Sequence, residues 1–196
     1  MDKKNNKKNQ RKIFIISGPS GVGKTSAAKG VMKKLPFLKT SVTYSTRTKR
    51  LGKKEDKTII HISEKDFREK INRGDFLEWA LVHDNLYGTD KKTIQDRLKK
   101  NSILMNIDVQ GAIQIKEKMP KETILIFLKT KNLKELQNRI NYREKGKMPK
   151  AIIELRLKNA KKELTLAKKY DYIIINEKNQ LKQTIKKVLD IIKNNI

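Results

Sequence analysis

The chain contains 196 residues, of which 36% are hydrophobic and 35% are charged, and this length suits one compact domain with a sizeable core. Cysteine is absent and there are only two histidines, which excludes disulfides and thiolate metal sites and argues against a zinc centre. No stretch approaches the roughly 20 apolar residues of a membrane span and no apolar signal segment follows the N-terminus, so we expect a cytoplasmic protein without membrane contact.

The first predicted elements form a phosphate-binding unit. Residues 1–11 are polar and basic and predict a disordered tail. A strand is predicted over Lys12–Ser17, and Gly18–Thr25 reads GPSGVGKT directly after it. The spacing GxxxxGK[ST] is that of a loop whose glycines let backbone N–H groups face phosphate oxygens. Helical spacing over Lys24–Lys34 follows, so the helix dipole would point at the anion.

The side chains of this loop predict a nucleoside triphosphate bound with Mg²⁺. Lys24 is placed to reach the β- and γ-phosphates, and the hydroxyl of Thr25 suits a Mg²⁺ ligand. The predicted triphosphate-binding residues of this segment are Gly18, Pro19, Ser20, Gly21, Val22, Gly23, Lys24, Thr25 and Ser26.

The rest of the chain alternates predicted strands and helices, which favours a parallel sheet with helices on both faces. Short strands around a charged turn between Thr40 and Leu81 predict a small, partly antiparallel subdomain, and Tyr142–Lys150 predicts a mobile loop. The further strands are predicted at Ile59–Ile62, Phe76–Leu81, Ile103–Ile107, Thr123–Leu128 and Tyr172–Ile175. The further helices are predicted at Glu64–Asn72, Asp90–Lys99, Val109–Lys118, Asn132–Asn141, Lys150–Lys169 and Leu181–Asn194.

The formal net charge of +27 comes almost entirely from lysines spread along the whole chain. Abundant Ile and Asn accompany them, as a coding sequence rich in A and T would produce. The charge is therefore weak evidence for a nucleic-acid partner, although a polyanion-binding role remains an alternative. Arginine binds phosphate through a bidentate fork and is the more informative cation. Arg47 and Arg50, one turn apart, can clamp one phosphate group or form an exposed basic turn.

Two later segments suggest an acceptor site in the subdomain. Glu78 interrupts an apolar strand, where a carboxylate needs a partner, either two N–H donors of a purine or a structural salt bridge. Asn85–Thr89 brings a phenol, a glycine and a hydroxyl together in a predicted loop. The neighbouring Phe76 and Trp79, like Met105, are expected in the core.

A phosphate-binding loop alone leaves GTPases, motor ATPases, transport ATPases and kinases open. The NKxD guanine motif of GTPases is absent, and motors usually need a longer chain. A small-molecule kinase fits the length best.

Taken together in this order, the segments resemble the guanylate kinase family from Ile13 to about Asn176. GPSGVGKT resembles the family's phosphate loop, STRTKR its phosphate clamp, and FLEWALVHDNLYGT its guanine-recognition strand and turn. Asn106–Gly111 resembles the family's DIDxQG segment. Arg139–Arg143 and Arg156 resemble the arginines of its lid, and Asn176 an asparagine near the adenine.

The resemblance implies a kinase that transfers a phosphoryl group from ATP to GMP with Mg²⁺, on a phosphate-loop fold with a mixed-strand GMP-binding subdomain and a helical lid. It implies a core at 12–39 and 90–196, a GMP-binding subdomain at about 40–89 and a lid at about 139–156. The residues implied to bind GMP are Thr43, Arg47, Arg50, Glu78, Tyr87, Gly88, Thr89 and Asn106. The residues implied to act in catalysis are Lys24, Arg47, Asp108, Arg139, Arg143 and Arg156, with Thr25 and Asp108 ordering Mg²⁺ and Asn176 near ATP.

The sequence departs from the family pattern mainly on the acceptor side. Ile59 stands where the family has a tyrosine, Lys53 replaces an acidic residue, and Asn106 replaces an aspartate. Glu144 replaces a glycine of the lid. These departures leave two alternatives open, a different nucleotide or sugar-phosphate acceptor and a weakly active binding module. The sequence leaves open whether the chain is a monomer or a homodimer.

Overall fold

A computed structural model describes residues 11–49, 59–82, 84–143 and 149–196. The strands are β1 Ile13–Ser17, β2 Thr43–Ser45, β3 Ile59–His61, β4 Phe76–Val82, β5 Asn85–Asp90, β6 Ile103–Asn106, β7 Thr123–Lys129 and β8 Tyr172–Ile175. The helices are α1 Lys24–Lys34, α2 Glu64–Asn72, α3 Lys91–Leu98, α4 Val109–Lys118, α5 Leu133–Arg143, α6 Lys150–Thr165 and α7 Leu181–Lys193.

The main sheet has four parallel strands in the order β6-β1-β7-β8. Successive side chains of β1 point to opposite faces, and every residue of β1 is buried. Phe14 and Ile16 pack in one apolar cluster with residues of α1 and α7, whereas Ile13 and Ile15 pack in another with residues of α3 and α4. Helices therefore cover both faces, as a parallel sheet requires.

The second sheet is mixed and has the order β3-β2-β5-β4. Strand β2 runs parallel to β3, and β5 runs antiparallel to both β2 and β4. Helix α2 covers one face by packing Phe67 against Phe76, with 4.6 Å between the ring centroids. Ser63 begins this helix by accepting the N–H of Asp66 at 3.1 Å. The opposite face is left for the site described below.

The predicted fold class is confirmed, and each predicted helix and strand that lies in the described residues has a counterpart. The prediction of a loop at Asn85–Thr89 is wrong, since this segment forms β5. The predicted helix Lys150–Lys169 divides into α6 and a turn of 3-10 helix at Leu166–Lys169. The loop predicted at Tyr142–Lys150 is wrong at both ends, which belong to α5 and α6, and 144–148 lie outside the described residues.

Phe76 and Met105 are buried, which confirms them as core residues. The prediction that Trp79 lies in the core is wrong, because its side chain is 42% exposed. The predicted tail falls almost wholly outside the described ranges, since only Arg11 of it is included. Within those ranges, no helix is long and apolar enough to cross a bilayer.

Candidate active site

The phosphate-binding loop lies between β1 and α1, and its glycines are needed for its path. Gly18 has φ 135°, and a Cβ there would overlap the carbonyl oxygen of Leu128 in β7. Gly23 has φ 100° and caps α1 in the left-handed conformation. Residues that carry a side chain rarely adopt these backbone angles. Only glycine therefore lets the loop pass this close to β7 and turn into the helix.

Lys24 opens α1 and extends its ammonium group back over the loop. Its Nζ donates hydrogen bonds to the carbonyl oxygens of Gly18 at 2.6 Å and Pro19 at 3.1 Å. The positive charge is thus held at the mouth of the loop, where a helix N-terminus favours an anion.

Asn176 holds the phosphate-binding loop in place by a hydrogen bond to its backbone. The residue is 4% exposed, and its Nδ2 donates to the carbonyl oxygen of Val22 at 2.8 Å. Its Oδ1 accepts the hydroxyl of Thr184 in α7 at 2.8 Å. Both polar atoms of the amide are therefore engaged within the protein. Its predicted place near the adenine stays a prediction, and the structure adds a role in supporting the loop.

Arg139 of α5 contacts the backbone of both the loop and Asn176. Its Nη2 donates to the carbonyl oxygen of Asn176 at 2.6 Å and to Glu135 Oε1 at 2.5 Å, and its Nη1 reaches the carbonyl oxygen of Val22 at 3.4 Å. The guanidinium thus lies beside the phosphate-binding loop, and its implied role on the transferring group stays a prediction. Arg156 lies on α6 and is partly buried.

A cavity of about 660 Å³ separates the loop from the second sheet. Thr43 pairs with Thr89 across β2 and β5, and Thr89 pairs with Glu78 across β5 and β4, so these side chains share the face that looks toward α1. The predicted site residues that line the cavity are Lys24, Thr25, Thr43, Glu78, Tyr87, Asn106 and Asp108. The cavity therefore joins residues predicted for the triphosphate with residues predicted for the acceptor.

Glu78 is a buried carboxylate with one oxygen engaged and one left over. It is 2% exposed, and its Oε1 accepts the hydroxyl of Thr89 at 2.6 Å. Its Oε2 is buried without a hydrogen-bond partner. Burial, with a smaller effect from the charge of Asp108, raises the pKa of Glu78 to about 7 against the opposing effects of the Thr89 hydrogen bonds and the charge of Lys118. The orphaned oxygen is the kind of acceptor that a ligand with N–H donors would satisfy.

Asp108 and Thr25 also line the cavity and carry side-chain oxygen atoms. Asp108 caps α4 through Oδ1, which accepts the N–H groups of Gln110 at 2.8 Å and Gly111 at 3.0 Å. The hydroxyl oxygen of Thr25 accepts a hydrogen bond from Asn106 Nδ2 at 3.1 Å. A hydroxyl and a carboxylate fit Mg²⁺, which binds protein through one or two such groups and takes its other ligands from water and phosphates. Within the described ranges no cluster of three acidic or histidine side chains forms an independent metal site.

Comparison with known proteins decides the family. The guanylate kinase family model matches residues 10–195. The chain belongs to the guanylate kinase family.

The guanylate kinase of Fusobacterium nucleatum is 40% identical over 185 residues, which cover 94% of this chain and 97% of that protein. The guanylate kinase of Thermotoga maritima is 37% identical over 182 residues, covering 92% and 86%. The crystal structure of guanylate kinase from Anaplasma phagocytophilum superposes with a TM-score of 0.75 at 29% identity and covers 94% of this chain and 85% of that one. The similarity to guanylate kinases thus extends over both sheets.

Some of the residues implied by the resemblance to guanylate kinases lie away from the cavity. Gly88 faces α2, and a Cβ there would contact the rings of Phe76 and Phe67. Arg47 follows β2; its N–H donates to Ser45 Oγ, and its carbonyl oxygen is 2.5 Å from His61 Nδ1. Arg50, Lys53, Glu144 and the side chain of Arg143 lie outside the described residues.

The guanylate kinase site also contains residues that sequence reasoning missed. Glu163 of α6 lies near the loop: burial raises the pKa of its carboxyl group, while the charge of Lys24 lowers it and that of Asp108 raises it. A glutamate on a long lysine-rich helix carries no signal that would identify it. The missed residues that line the cavity are Ala28, Lys29, Met32, Thr40, Ser41, Val82, Leu104 and Ile107.

Proposed function

We propose that this protein is a guanylate kinase that transfers the γ-phosphoryl group of ATP to GMP, giving ADP and GDP. The observation that carries the proposal is the cavity whose walls combine Lys24 and Thr25 of the phosphate-binding loop with Glu78 and Tyr87 of the second sheet. Such a cavity holds two nucleotides with their phosphates between them, which is what direct phosphoryl transfer requires.

The reaction needs alignment and positive charge more than a covalent nucleophile. A phosphate oxygen of GMP bonds to the γ-phosphorus as the bond from that phosphorus to the β–γ bridging oxygen breaks, so ADP leaves with the bond electrons. Lys24 and Arg139 are proposed to neutralise the charge on the transferring group, together with Arg143 and Arg156. When bound by Thr25 and Asp108, Mg²⁺ would neutralise further phosphate charge.

Acceptor recognition is assigned to the second sheet. In its ionised form Glu78 offers the unused Oε2 and a second lone pair to the adjacent N1–H and amino group of guanine. Thr89 orients this carboxylate, and Thr43 and Asn106 flank it in the cavity. Arg47 and Arg50 are proposed to bind the GMP phosphate with Tyr87. Adenine lacks the N1–H donor, so AMP would leave the buried carboxylate without its partner.

The proposal also covers the surroundings of the site. We propose the core, GMP-binding and lid boundaries given above, a cytoplasmic location, no nucleic-acid partner, and either a monomer or a homodimer.

A coupled assay tests the function by measuring ADP formation from MgATP with GMP, dGMP, AMP, UMP and CMP. Turnover selective for GMP is the expected result. Turnover with another acceptor would instead support a changed specificity, for which Ile59 in the cavity wall is the motivating observation. ATP binding without turnover of any acceptor would overturn the proposal in favour of a binding module.

A further inference from the structure

The strand that carries Glu78 lies at the edge of the second sheet, with a strand neighbour on one side only. Strand β4 is terminal in the order β3-β2-β5-β4. In an antiparallel pair, alternate residues direct both backbone polar groups away from the partner strand. The carbonyl oxygen of Leu77 and both backbone polar groups of Trp79 meet side chains of α4 instead of another strand, so this edge is held by the core of the protein.

Gln114 pairs with the backbone of Trp79 as a neighbouring strand would. Its Nε2 donates to the carbonyl oxygen of Trp79 at 2.9 Å, and its Oε1 accepts the N–H of the same residue at 3.4 Å. A single amide side chain thus satisfies both polar groups of one residue. Because Trp79 directly follows Glu78 in β4, this pairing fixes the backbone next to the buried carboxylate.

Two further residues on the same face of α4 act on the same strand. Lys118 Nζ donates to the carbonyl oxygen of Leu77 at 2.6 Å, on the other side of Glu78. Gly111 lies so close to Glu78 that a Cβ there would overlap its Oε2. Residues 111, 114 and 118 are spaced by three and four, so they form one stripe along the helix.

We propose that Gln114, assisted by Lys118, is a positioning residue for acceptor recognition. By fixing the backbone on both sides of Glu78, the stripe 111/114/118 holds the carboxylate at a set distance from the N-terminus of α4 and from Asp108. Recognition of a purine by hydrogen bonds is sensitive to errors below 1 Å. Gln114 therefore contributes to the affinity for GMP although it does not line the cavity, and this inference rests on the proposed function.

The test is Gln114→Met, which keeps the length and helix propensity of the side chain and removes both hydrogen bonds. We expect KM for GMP to rise about tenfold because two backbone groups next to Glu78 lose their partner. KM for ATP and kcat should stay within about twofold, since the phosphate-binding loop is not contacted. Gln114→Glu, which loses the shorter of the two bonds, should raise KM for GMP at least as much.

Trp79 offers a readout that is independent of turnover, because it is the only tryptophan in the chain. Its fluorescence reports on the residue that Gln114 holds. Gln114→Met should increase quenching of Trp79 by acrylamide, and a GMP titration followed by this fluorescence should give a dissociation constant raised by the same factor as KM.

Glu117→Ala is the matched control, since Glu117 is exposed on the same helix. It should change none of these quantities. If the ratio of KM for GMP to KM for ATP is unchanged in both Gln114 variants, the inference is overturned. A fall in melting temperature without a change in this ratio also overturns it, because that result marks a merely structural role. If Gln114→Met does not fold, Lys118→Met applies the same criterion to the second anchor.

The wild-type protein separates this outcome from failure of the proposed function. Absence of GMP turnover in the wild type rejects guanylate kinase activity itself. Normal wild-type turnover with an unaltered Gln114→Met variant rejects only the positioning role.

Discussion

The two walls of the cavity are built in different ways. The donor wall is a contiguous loop whose carbonyl groups are engaged by Lys24, Asn176 and Arg139. The acceptor wall is assembled from three strands and depends on Glu78, a carboxylate buried with one oxygen unsatisfied. One wall is complete by itself, whereas the other is complete only with its ligand.

This difference separates stability from specificity. An anion site made of backbone groups tolerates few substitutions, because its backbone angles require glycine. A site built from side chains can change its ligand by changing one residue, and the departure from the family pattern at Ile59 lies on β3 of the same sheet. Substitutions on the donor wall should therefore act on kcat and on folding, and those on the acceptor wall on KM for GMP.

The largest effect is expected for Lys24→Met. The variant should lower kcat about 10³-fold, because a fixed positive charge no longer faces the transferring group. KM for GMP should change little, and stability should fall only by about 1 kcal/mol for the lost hydrogen bonds. Steady-state kinetics and urea unfolding measure these quantities, with Lys33→Ala, exposed on the same helix, as the control. A kcat within tenfold of wild type would contradict the donor-wall assignment.

Glu78→Gln should raise KM for GMP about 10²-fold at pH 8, because charge-assisted hydrogen bonds to guanine are replaced by weaker ones. Since the pKa of Glu78 is about 7 in the free protein, KM for GMP in the wild type should rise as the pH falls from 8 to 6, and this rise should be smaller in the variant. The GMP phosphate titrates equally in both proteins, so the difference between their profiles isolates Glu78. Identical profiles would contradict its role.

The same carboxylate sets a pH dependence of stability. Its pKa is about 7 in the folded protein against 4.5 in the unfolded chain, so the folded state binds more protons between these values. The free energy of unfolding should therefore fall as pH rises from about 4.5 to about 7, by up to about 3 kcal/mol. In urea unfolding across that range, Glu78→Gln should lack the contribution of Glu78 to this decline, while the contribution of Glu163, whose pKa burial also raises, should remain. A wild-type stability that rises through this window would contradict the assignment.

Asn176→Ala tests the support of the donor wall. Removing the amide leaves the buried Thr184 hydroxyl without its partner and the Val22 carbonyl oxygen with only the 3.4 Å hydrogen bond from Arg139, which should cost about 2–4 kcal/mol. KM for ATP should rise about tenfold as the loop loses its position, while KM for GMP stays unchanged. Asn138→Ala, exposed on α5, serves as the control. Equal effects on both substrates would remove the distinction between the walls.

Ile59→Tyr tests the acceptor wall through an expected gain in affinity for GMP. Ile59 lines the cavity at the position where the family has a tyrosine. An added phenol that reaches the GMP phosphate should lower KM for GMP by about tenfold, the value of one hydrogen bond to a charged group. Ile60→Tyr places the same group on the opposite face of the strand. No gain from Ile59→Tyr would show that this wall already binds the phosphate fully.

The sequence predicted the donor wall well because its signal is contiguous: strand, glycine loop, Lys24 and helix follow one another. It predicted the acceptor wall less well. Asn85–Thr89 contains asparagine and glycine, which favour turns, yet pairing with two strands holds the segment as β5. Trp79 was expected in the core because its strand is apolar, but α2 covers only part of that face.

Other contacts had no signal that the sequence alone could supply. Gln114 and Lys118 are ordinary polar residues of a helix, and only the meeting of α4 with β4 gives them partners. The same holds for Arg97, whose guanidinium donates to the carbonyl oxygen of Thr40 before β2. Such roles depend on the tertiary arrangement of elements that are far apart in the chain.

The bond from Asn176 to Val22 joins positions 154 residues apart, and this span has a consequence for biosynthesis. The chain leaves the ribosome N-terminus first, so Val22 of the phosphate-binding loop is made 154 residues before its support. Contacts between such distant positions also form slowly during folding. A nascent or C-terminally truncated chain would therefore carry the whole GPSGVGKT segment without the structure that holds it, and would compete poorly with finished molecules for ATP.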